Sequence, residues 1–382
     1  MVIPSEFILF ALVLAGIAMF HRHTLWIALS GLAAVLAYKA AFDPNFHLGA
    51  HMREESGLLA NLFGLLTGFA VLARLFQDSR LPKLAPRILP DDWKGPLVLL
   101  FLVFALSSFL DNIAAALIGG TVALSVFRGR VHLAYLASIV AASNAGGAGS
   151  VLGDTTTTML WIAGVPAWQV VHAYIGSATA LLCLGIPASL AQHRHQRIMA
   201  DPEGAVKTDW PRVLAVASML AGAVAANVWL GFPALGVWAT LLLWFPFVKP
   251  PWKVLPEAAR GALFLCALVL IASLMPVEKL PAASWPGTLA LGFVSAFFDN
   301  IPLTKLALDQ GGYDWGLLAY SVGFGGSLLW FGSSSGVALS GEFPAMRSVR
   351  NWIKEGWYIV PAYVAGFLAM LIIMGWHPRA MP

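Results

Sequence analysis

This chain has little charge. Asp, Glu, Lys and Arg together make up 11% of its 382 residues, against about 25% in soluble globular proteins. With 59% hydrophobic residues and a mean hydropathy of +0.77, that excludes a soluble globular fold and leaves no stretch for a second, soluble domain. Cysteine is scarcer still. Cys183 and Cys266 both lie inside apolar runs and imply no disulfide, no metal site and nothing about the redox compartment. The apolar runs lack the alternation of a transmembrane barrel and have the length of helices. A basic leader and a small-residue cleavage site are missing ahead of the first run, which is therefore expected to be a retained helix and not a signal peptide. The lipid bilayer is the partner that composition implies; no cofactor, no nucleic acid and no enzymatic activity are expected.

A crossing needs about 20 apolar residues. Runs of roughly that kind fall at 4–20, 24–43, 57–77, 168–192, 212–229, 233–248, 258–275 and 357–376. Two further regions, 94–164 and 286–341, are apolar but interrupted at their midpoints. In the first, a polar-containing turn separates two short apolar runs, which reads as a re-entrant hairpin over 94–127. The turn has to be enclosed by protein, since lipid cannot satisfy bare backbone. An apolar run then starts at 133 and is interrupted by Asn144-Ala145-Gly146-Gly147-Ala148-Gly149-Ser150, with Asp154 and Thr155 to Thr158 following. So many glycines hold a helix poorly, and 133–164 reads as a discontinuous spanning helix.

The second region repeats the first. A hairpin is expected over 286–308 and a broken helix over 316–341, interrupted at Gly323-Phe324-Gly325-Gly326 and Gly332-Ser333-Ser334-Ser335-Gly336. The hairpin turns are copies of one motif: Ser107-Ser108-Phe109-Leu110-Asp111-Asn112 and Ser295-Ala296-Phe297-Phe298-Asp299-Asn300, each followed by Ile. Gly147 precedes Gly153 by six residues, and Gly326 precedes Gly332 by six. The expected fold is an all-α polytopic membrane protein with about ten spanning segments, two re-entrant hairpins and two discontinuous helices. Residues 1–192 form one repeat, 193–211 a polar cytoplasmic linker and 212–382 the other repeat.

Charge distribution orients the plan. The loops on one side, near 21–23, 74–94, 128–132, 193–212, 249–260 and 342–356, hold 18 Lys and Arg, whereas the other side holds Arg53, Lys279 and Arg379. The positive-inside rule puts the 18-charge side in the cytoplasm and both termini outside. The first hairpin then enters from the cytoplasm and the second from outside. That is an inverted repeat, the architecture of secondary transporters, and a bacterial-type inner (plasma) membrane is the expected location.

Three acidic residues are expected at membrane depth: Asp111, Asp154 and Asp299. A carboxylate there is costly unless it is paired or faces water. A low-dielectric setting favours its protonated form and a bound cation favours its ionised form, so such a group is suited to hold either a proton or a cation. The plain alternative is helix capping, which Asp performs well. Asn112 and Asn300 offer amide ligands, and Ser107 and Ser295 offer hydroxyls. Beside the chain breaks, Asn144, Gly147, Ser150, Thr155, Thr156, Gly326, Ser327, Ser333, Ser334 and Ser335 offer backbone and side-chain oxygens, or else serve helix packing. Asp111, Asn112, Asn144 and Asp154 are the candidate ligands of a transported Na⁺. Lys305 has three readings: reaching to the outer interface, pairing with Asp299, or standing in for a cation in one half of the site.

Gly332-Ser333-Ser334-Ser335-Gly336 has the form of a nucleophile elbow but lacks the strand-to-helix turn that the elbow needs. The clusters His21-Arg22-His23 and His193-Arg194-His195 lack the acidic or Cys partners of a metal site and read as interfacial anchors.

The hairpin motif followed by Ser143 to Thr157, with its Asn-Ala-Gly-Gly and Gly-Asp-Thr-Thr-Thr strings, resembles the NhaD-type sodium/proton antiporters of the ion transporter superfamily. Ser295 to Pro302 and Gly325 to Gly336 extend the likeness, which covers most of the chain from about residue 55. The resemblance implies inverted repeats with two hairpins and two broken helices, working as an elevator within a homodimer. The superfamily also contains arsenite permeases and cation-coupled citrate and dicarboxylate carriers. The expected function is sodium (or lithium)/proton antiport, with a citrate or dicarboxylate carrier as the alternative; Lys305 favours an organic anion and the Asp-Asn hairpin tips oppose it. Within the pair of repeats, the first-half site, which alone has a carboxylate at its chain break, is where proton and cation are expected to compete.

Overall fold

The computed structural model describes residues 4–20, 23–44, 46–82, 84, 89–199, 207–298 and 300–379, and every regular element among them is helical. The first half runs through α1 (Ser5–Met19), α2 (Thr24–Phe42), α3 (Leu48–Asp78), α4 (Lys94–Ser107), α5 (Asn112–Val126), α6 (Leu133–Ala148), α7 (Thr155–Ile162), α8 (Ala167–Val171) and α9 (Ala173–His195). The second half runs through α10 (Trp210–Leu230), α11 (Pro233–Trp244), α12 (Leu255–Ser273), α13 (Trp285–Ser295), α14 (Asn300–Gln310), α15 (Trp315–Gly325), α16 (Ser334–Glu342), α17 (Val349–Glu355) and α18 (Ile359–Met374). Both halves follow one order: three helices, two short helices around a tight turn, two more around a glycine-rich gap, and a closing helix.

Local chemistry sets these boundaries. Proline stands in the first turn of α10, α11, α12 and α13, where the missing N–H costs nothing. Asp209 and Ser284 cap α10 and α13. Gly231, at φ 64°, closes α10 in the left-handed conformation that glycine tolerates. The glycine-rich gaps come from packing. A Cβ on Gly153 would lie 1.9 Å from the Ser107 carbonyl oxygen, and one on Gly332 would lie 2.4 Å from that of Ala296. Each broken helix is thus pressed at its gap against the turn of its own hairpin.

Among the described residues, five helices are long and apolar enough to cross a membrane: α2, α3, the α8–α9 stretch, α10, and α12 with its preceding turn. A sixth is added if α17 and α18, bent by 60°, count as one span. The protein is a multi-pass helical membrane protein. At its centre lie α6 and α15. Every residue of α15 and all of α6 but Leu133 are buried, and the two helices pack against each other. By contrast, α1 and α2 form a satellite, held through Phe10, Val13, Leu14, Ala28 and Val35 against Leu268, Ile271 and Ala272 of α12.

The boundaries depart from the sequence reading in two places. Leu48 to Ser56, outside the apolar run read over 57–77, is helical and makes α3 31 residues long. The stretch 342–356, taken as a loop, contains α17. Within the linker, α9 continues to His195 and α10 starts at Trp210, and residues 200–206 lie outside those described.

Candidate functional site

The turn between α4 and α5 and the gap between α6 and α7 bring the first-half motif residues together. Asp154 takes the N-cap position of α7, yet its side chain makes no capping bond. The carboxylate instead accepts from Asn112 Nδ2 at 3.2 Å (Oδ1) and from Asn300 Nδ2 at 3.3 and 3.2 Å (Oδ1 and Oδ2). Thr155 Oγ1 also reaches Oδ1, at 3.4 Å. Asn112 and Asn300 are the first residues of α5 and α14, one from each hairpin. The two hairpin tips therefore meet on one carboxylate that is 2% exposed.

Asn144, in the last turn of α6, ties the two broken helices. Its Oδ1 accepts from Asn112 Nδ2 at 3.1 Å and from Ser335 Oγ at 2.8 Å, and its Nδ2 donates to Ser327 Oγ at 2.9 Å. Ser335 also bonds Ser333 Oγ at 3.0 Å, and Ser333 caps α16 by accepting from Gly336 N–H. Four broken-element segments, two from each half, thus share one buried hydrogen-bond network. Low dielectric strengthens such a network and makes any unmade bond in it expensive.

A cavity of about 330 Å³ reaches this network. Asp111, Asn112, Asp154, Thr155, Asn300 and Ser334 line its inner part, and Leu62, Leu65, Phe69, Ala262 and Leu265 line its sides. Exposed Glu257 and neighbouring Ala258, in the first turn of α12, line it toward the surface. Its described charged side chains are the three carboxylates Asp111, Asp154 and Glu257; Lys, Arg and His are missing from that lining.

Other candidates have structural partners or stand apart. Ser150 Oγ donates to the Ser108 carbonyl at 2.6 Å, and Ser295 Oγ to that of Val322 at 2.8 Å, which fixes hairpin turns to broken helices. A Cβ on Gly147 would lie 2.7 Å from Gly153 O, and one on Gly326 2.7 Å from Gly332 O, so both glycines permit close crossing of the chain at the gap. The hydroxyls of Ser107 and Thr156 are buried without a protein partner among the described residues. Asp299 lies outside the described residues.

Lys305 neither reaches the outer interface nor enters the cavity, and its expected pairing with Asp299 falls on a residue outside those described. It is buried, its Nζ lies 2.8 Å from Glu55 Oε1 and 2.7 Å from Asp309 Oδ1, and it does not line the cavity. Glu55 was missed because its polar neighbours mask the helical start of α3. The spacing of Lys305 and Asp309, four apart on one helix, was the available signal.

The sequence model of the citrate transporter family (CitMHS) matches residues 8–325. Sodium/proton antiporter 1 of Arabidopsis thaliana is 28% identical over 334 residues, which cover 72% of this chain and 55% of that protein. The Na⁺/H⁺ antiporter NhaD of Alkalimonas amylolytica is 26% identical over 354 residues, covering 72% of this chain and 68% of that protein. NhaD of Vibrio parahaemolyticus is 28% identical over 331 residues, covering 71% and 78% respectively. The chain thus spans about half the length of the Arabidopsis relative.

Proposed function

Because the chain belongs to the citrate transporter family, we propose that it is a secondary active transporter that exchanges Na⁺, or Li⁺, for protons at Asp154. The observation that carries this is the convergence of both hairpin tips on the Asp154 carboxylate, at the inner end of a cavity lined by acidic and not basic side chains. A single enclosed carboxylate holds a proton or an alkali cation, and each excludes the other. Asn112, Asn144, Asn300 and Thr155 supply the neutral oxygens a hard cation requires. The carboxamides of Asn112 and Asn300 now donate to Asp154, and rotated they present their own oxygens. Ser107 and Thr156, whose hydroxyls have no protein partner among the described residues, hold lone pairs in reserve beside the gap. The relatives named as sodium/proton antiporters support the same ion pair.

The two nine-helix halves form inverted repeats, 1–192 and 212–382, joined by 193–211, with α4–α5 and α13–α14 as re-entrant hairpins. The recurring element order supports this, as does the 18-to-3 asymmetry of Lys and Arg that puts the linker in the cytoplasm and both termini outside. Hairpins and broken helices move as one block against the remaining helices, in an elevator-type cycle, within a homodimer of the inner membrane. On this orientation the cavity mouth at Glu257 faces the cytoplasm.

The family's description favours a second reading, a cation-coupled citrate or dicarboxylate carrier. The cavity opposes it, because an organic anion would meet Asp111, Asp154 and Glu257 while Lys305 is engaged elsewhere. Purified protein in proteoliposomes, preloaded with a proton gradient and given Na⁺ or Li⁺, decides between them. Proton efflux on cation addition is expected. Absence of a response between about pH 6.5 and 9.5, the range open to an enclosed carboxylate exchanger, overturns antiport. Cation-dependent uptake of labelled citrate establishes the second reading.

A further inference from the structure

The charged side chains around Lys305 sit where transport needs a closure. Helices α3 and α12 run antiparallel. His51 Nε2 meets Ser273 Oγ at 2.9 Å at one end, Cys266 Sγ lies 3.7 Å from Leu59 O further along, and Phe69 and Ala70 share the cavity lining with Val254 and Glu257 at the other end. From Glu257 to Ser273 is 16 residues, about 24 Å along the helix. The cavity occupies the Glu257 end of this pair and stops at Asn300 and Asp154. Lys305 and Asp309 lie five and nine residues beyond Asn300 on α14, about 7 and 13 Å further from the cavity. Glu55 lies on α3, seven residues before Leu62, the first α3 residue of the lining. The three ionic side chains therefore join α3 to α14 beyond the blind end of the cavity.

The side chains of Glu55 and Lys305 are 10% and 8% exposed, and that of Asp309 is 26% exposed. Breaking a buried pair by removing one partner strands a charge in a poor solvent. Such a contact is a strong closure while made, and it opens only if both charges find water together. Because Asn300 and Lys305 share α14, whatever holds Lys305 also sets where Asn300 meets Asp154. We infer that Glu55, Lys305 and Asp309 form a latch that shuts the side of the protein opposite the cavity mouth and must part in every transport cycle. Glu55 is then a positioning residue that acts through Lys305. This rests on the alternating-access reading above, but it does not depend on which substrate is carried.

The test uses side-specific thiol labelling of full-length protein in sealed vesicles of known orientation, with Cys183→Ser and Cys266→Ser removing the native thiols. Leu66→Cys places a reporter in the cavity wall. A membrane-impermeant maleimide should label it rapidly from the Glu257 face and slowly from the Glu55 face. Glu55→Gln or Lys305→Met should raise labelling from the Glu55 face roughly fivefold or more, the shift expected when one state loses an ion pair. The exchanged pair Glu55→Lys with Lys305→Glu, made together with Asp309→Lys so that the i,i+4 contact is also reversed in sign, re-forms both contacts and should restore slow labelling. Unchanged labelling from the Glu55 face in both single variants overturns the latch. So does an exchanged pair that labels as fast as the singles. The readout needs no ion flux, so a protein that shows no Na⁺/H⁺ exchange still reports on the latch, and failed exchange with intact latching rejects only the antiport reading.

Discussion

The two broken helices of this protein do the same structural task with different chemistry at the same place. In each, a buried helix ends in a glycine-rich stretch, a second glycine follows the first by six residues (Gly147 and Gly153, Gly326 and Gly332), and a second short helix begins. The restart residue directly after that second glycine is Asp154 in the first half and Ser333 in the second. Ser333 caps its helix through Gly336 N–H, which is what a hydroxyl at that position does well. Asp154 stands in the same position, leaves its helix uncapped and turns its carboxylate to the two hairpin amides. A good cap residue that does not cap has been diverted to other use. The second half therefore gives an internal control for the first: same gap, same spacing, helix restart satisfied and no carboxylate.

The largest expected effect separates these two positions. Asp154→Asn removes the charge that cation and proton share, and losing one charge of an enclosed pair costs on the order of 10² in rate or affinity. Na⁺-driven proton flux in proteoliposomes should fall to background. Ser333→Ala removes only a cap, worth about 1 kcal/mol, and should leave flux within about threefold while lowering thermal stability in detergent. Flux that survives Asp154→Asn, or vanishes with Ser333→Ala, breaks the comparison.

A smaller effect tests whether both hairpins serve the carboxylate equally. Asn300 donates to both oxygens of Asp154, whereas Asn112 divides its amide between Asp154 and Asn144. Hydrogen bonds to charged groups contribute about 1.5–3 kcal/mol, so Asn300→Ala should raise the half-saturating Na⁺ concentration about tenfold or more. Asn112→Ala should weaken Na⁺ about as much, and by losing the Asn144 contact should also destabilise the fold. Unchanged Na⁺ dependence in Asn300→Ala would remove the second hairpin from the site. Asn144→Ala is next in size. It strands Ser335 and Ser327, and leaving buried polar groups unmatched costs about 1–3 kcal/mol. The midpoint of thermal unfolding should drop even when Na⁺ is saturating.

Much of this was legible in the residues because breaks in helices are local. Glycine pairs, polar turns and their recurrence marked the chain breaks between α4 and α5, α6 and α7, α13 and α14, and α15 and α16; Asp111, Asn112 and Asp154 line one cavity, and Asn144 bonds Asn112. What was not legible is pairing across long separations. Glu55 and Lys305 are 250 residues apart, and the polar start of α3 looks like a loop because its charges are solvated in any reading that ignores Lys305. Likewise the serines of the second gap were recognisable as candidates, but not that Ser327 and Ser335 serve Asn144 of the other half. Local propensity cannot encode which distant group absorbs a buried charge or amide; only the packed neighbour does.

The smallest expected effect returns to the same two helices, at their outer ends. α6 starts with His132, whose Nδ1 accepts from Ala134 N–H. α15 starts with Asp314, whose Oδ1 accepts from Gly316 and Leu317 N–H. An imidazole caps only while that nitrogen is unprotonated. Burial, with nearby His195 adding to it and Glu355 opposing it, holds the His132 pKa below its ordinary value of 6.5. The unfolded chain therefore binds the proton first as pH falls below about 6.5, and stability contributed by the neutral cap is complete above that pH and lost as pH drops toward the lower folded value. His132→Asn keeps a side-chain acceptor that does not titrate, so it should flatten the loss of thermal stability between about pH 6.5 and 5 by up to about 1 kcal/mol. Asp314→Asn should leave that slope as it is. Equal flattening by both variants would mean that the caps are electrostatically alike, and that the two broken helices differ only at Asp154.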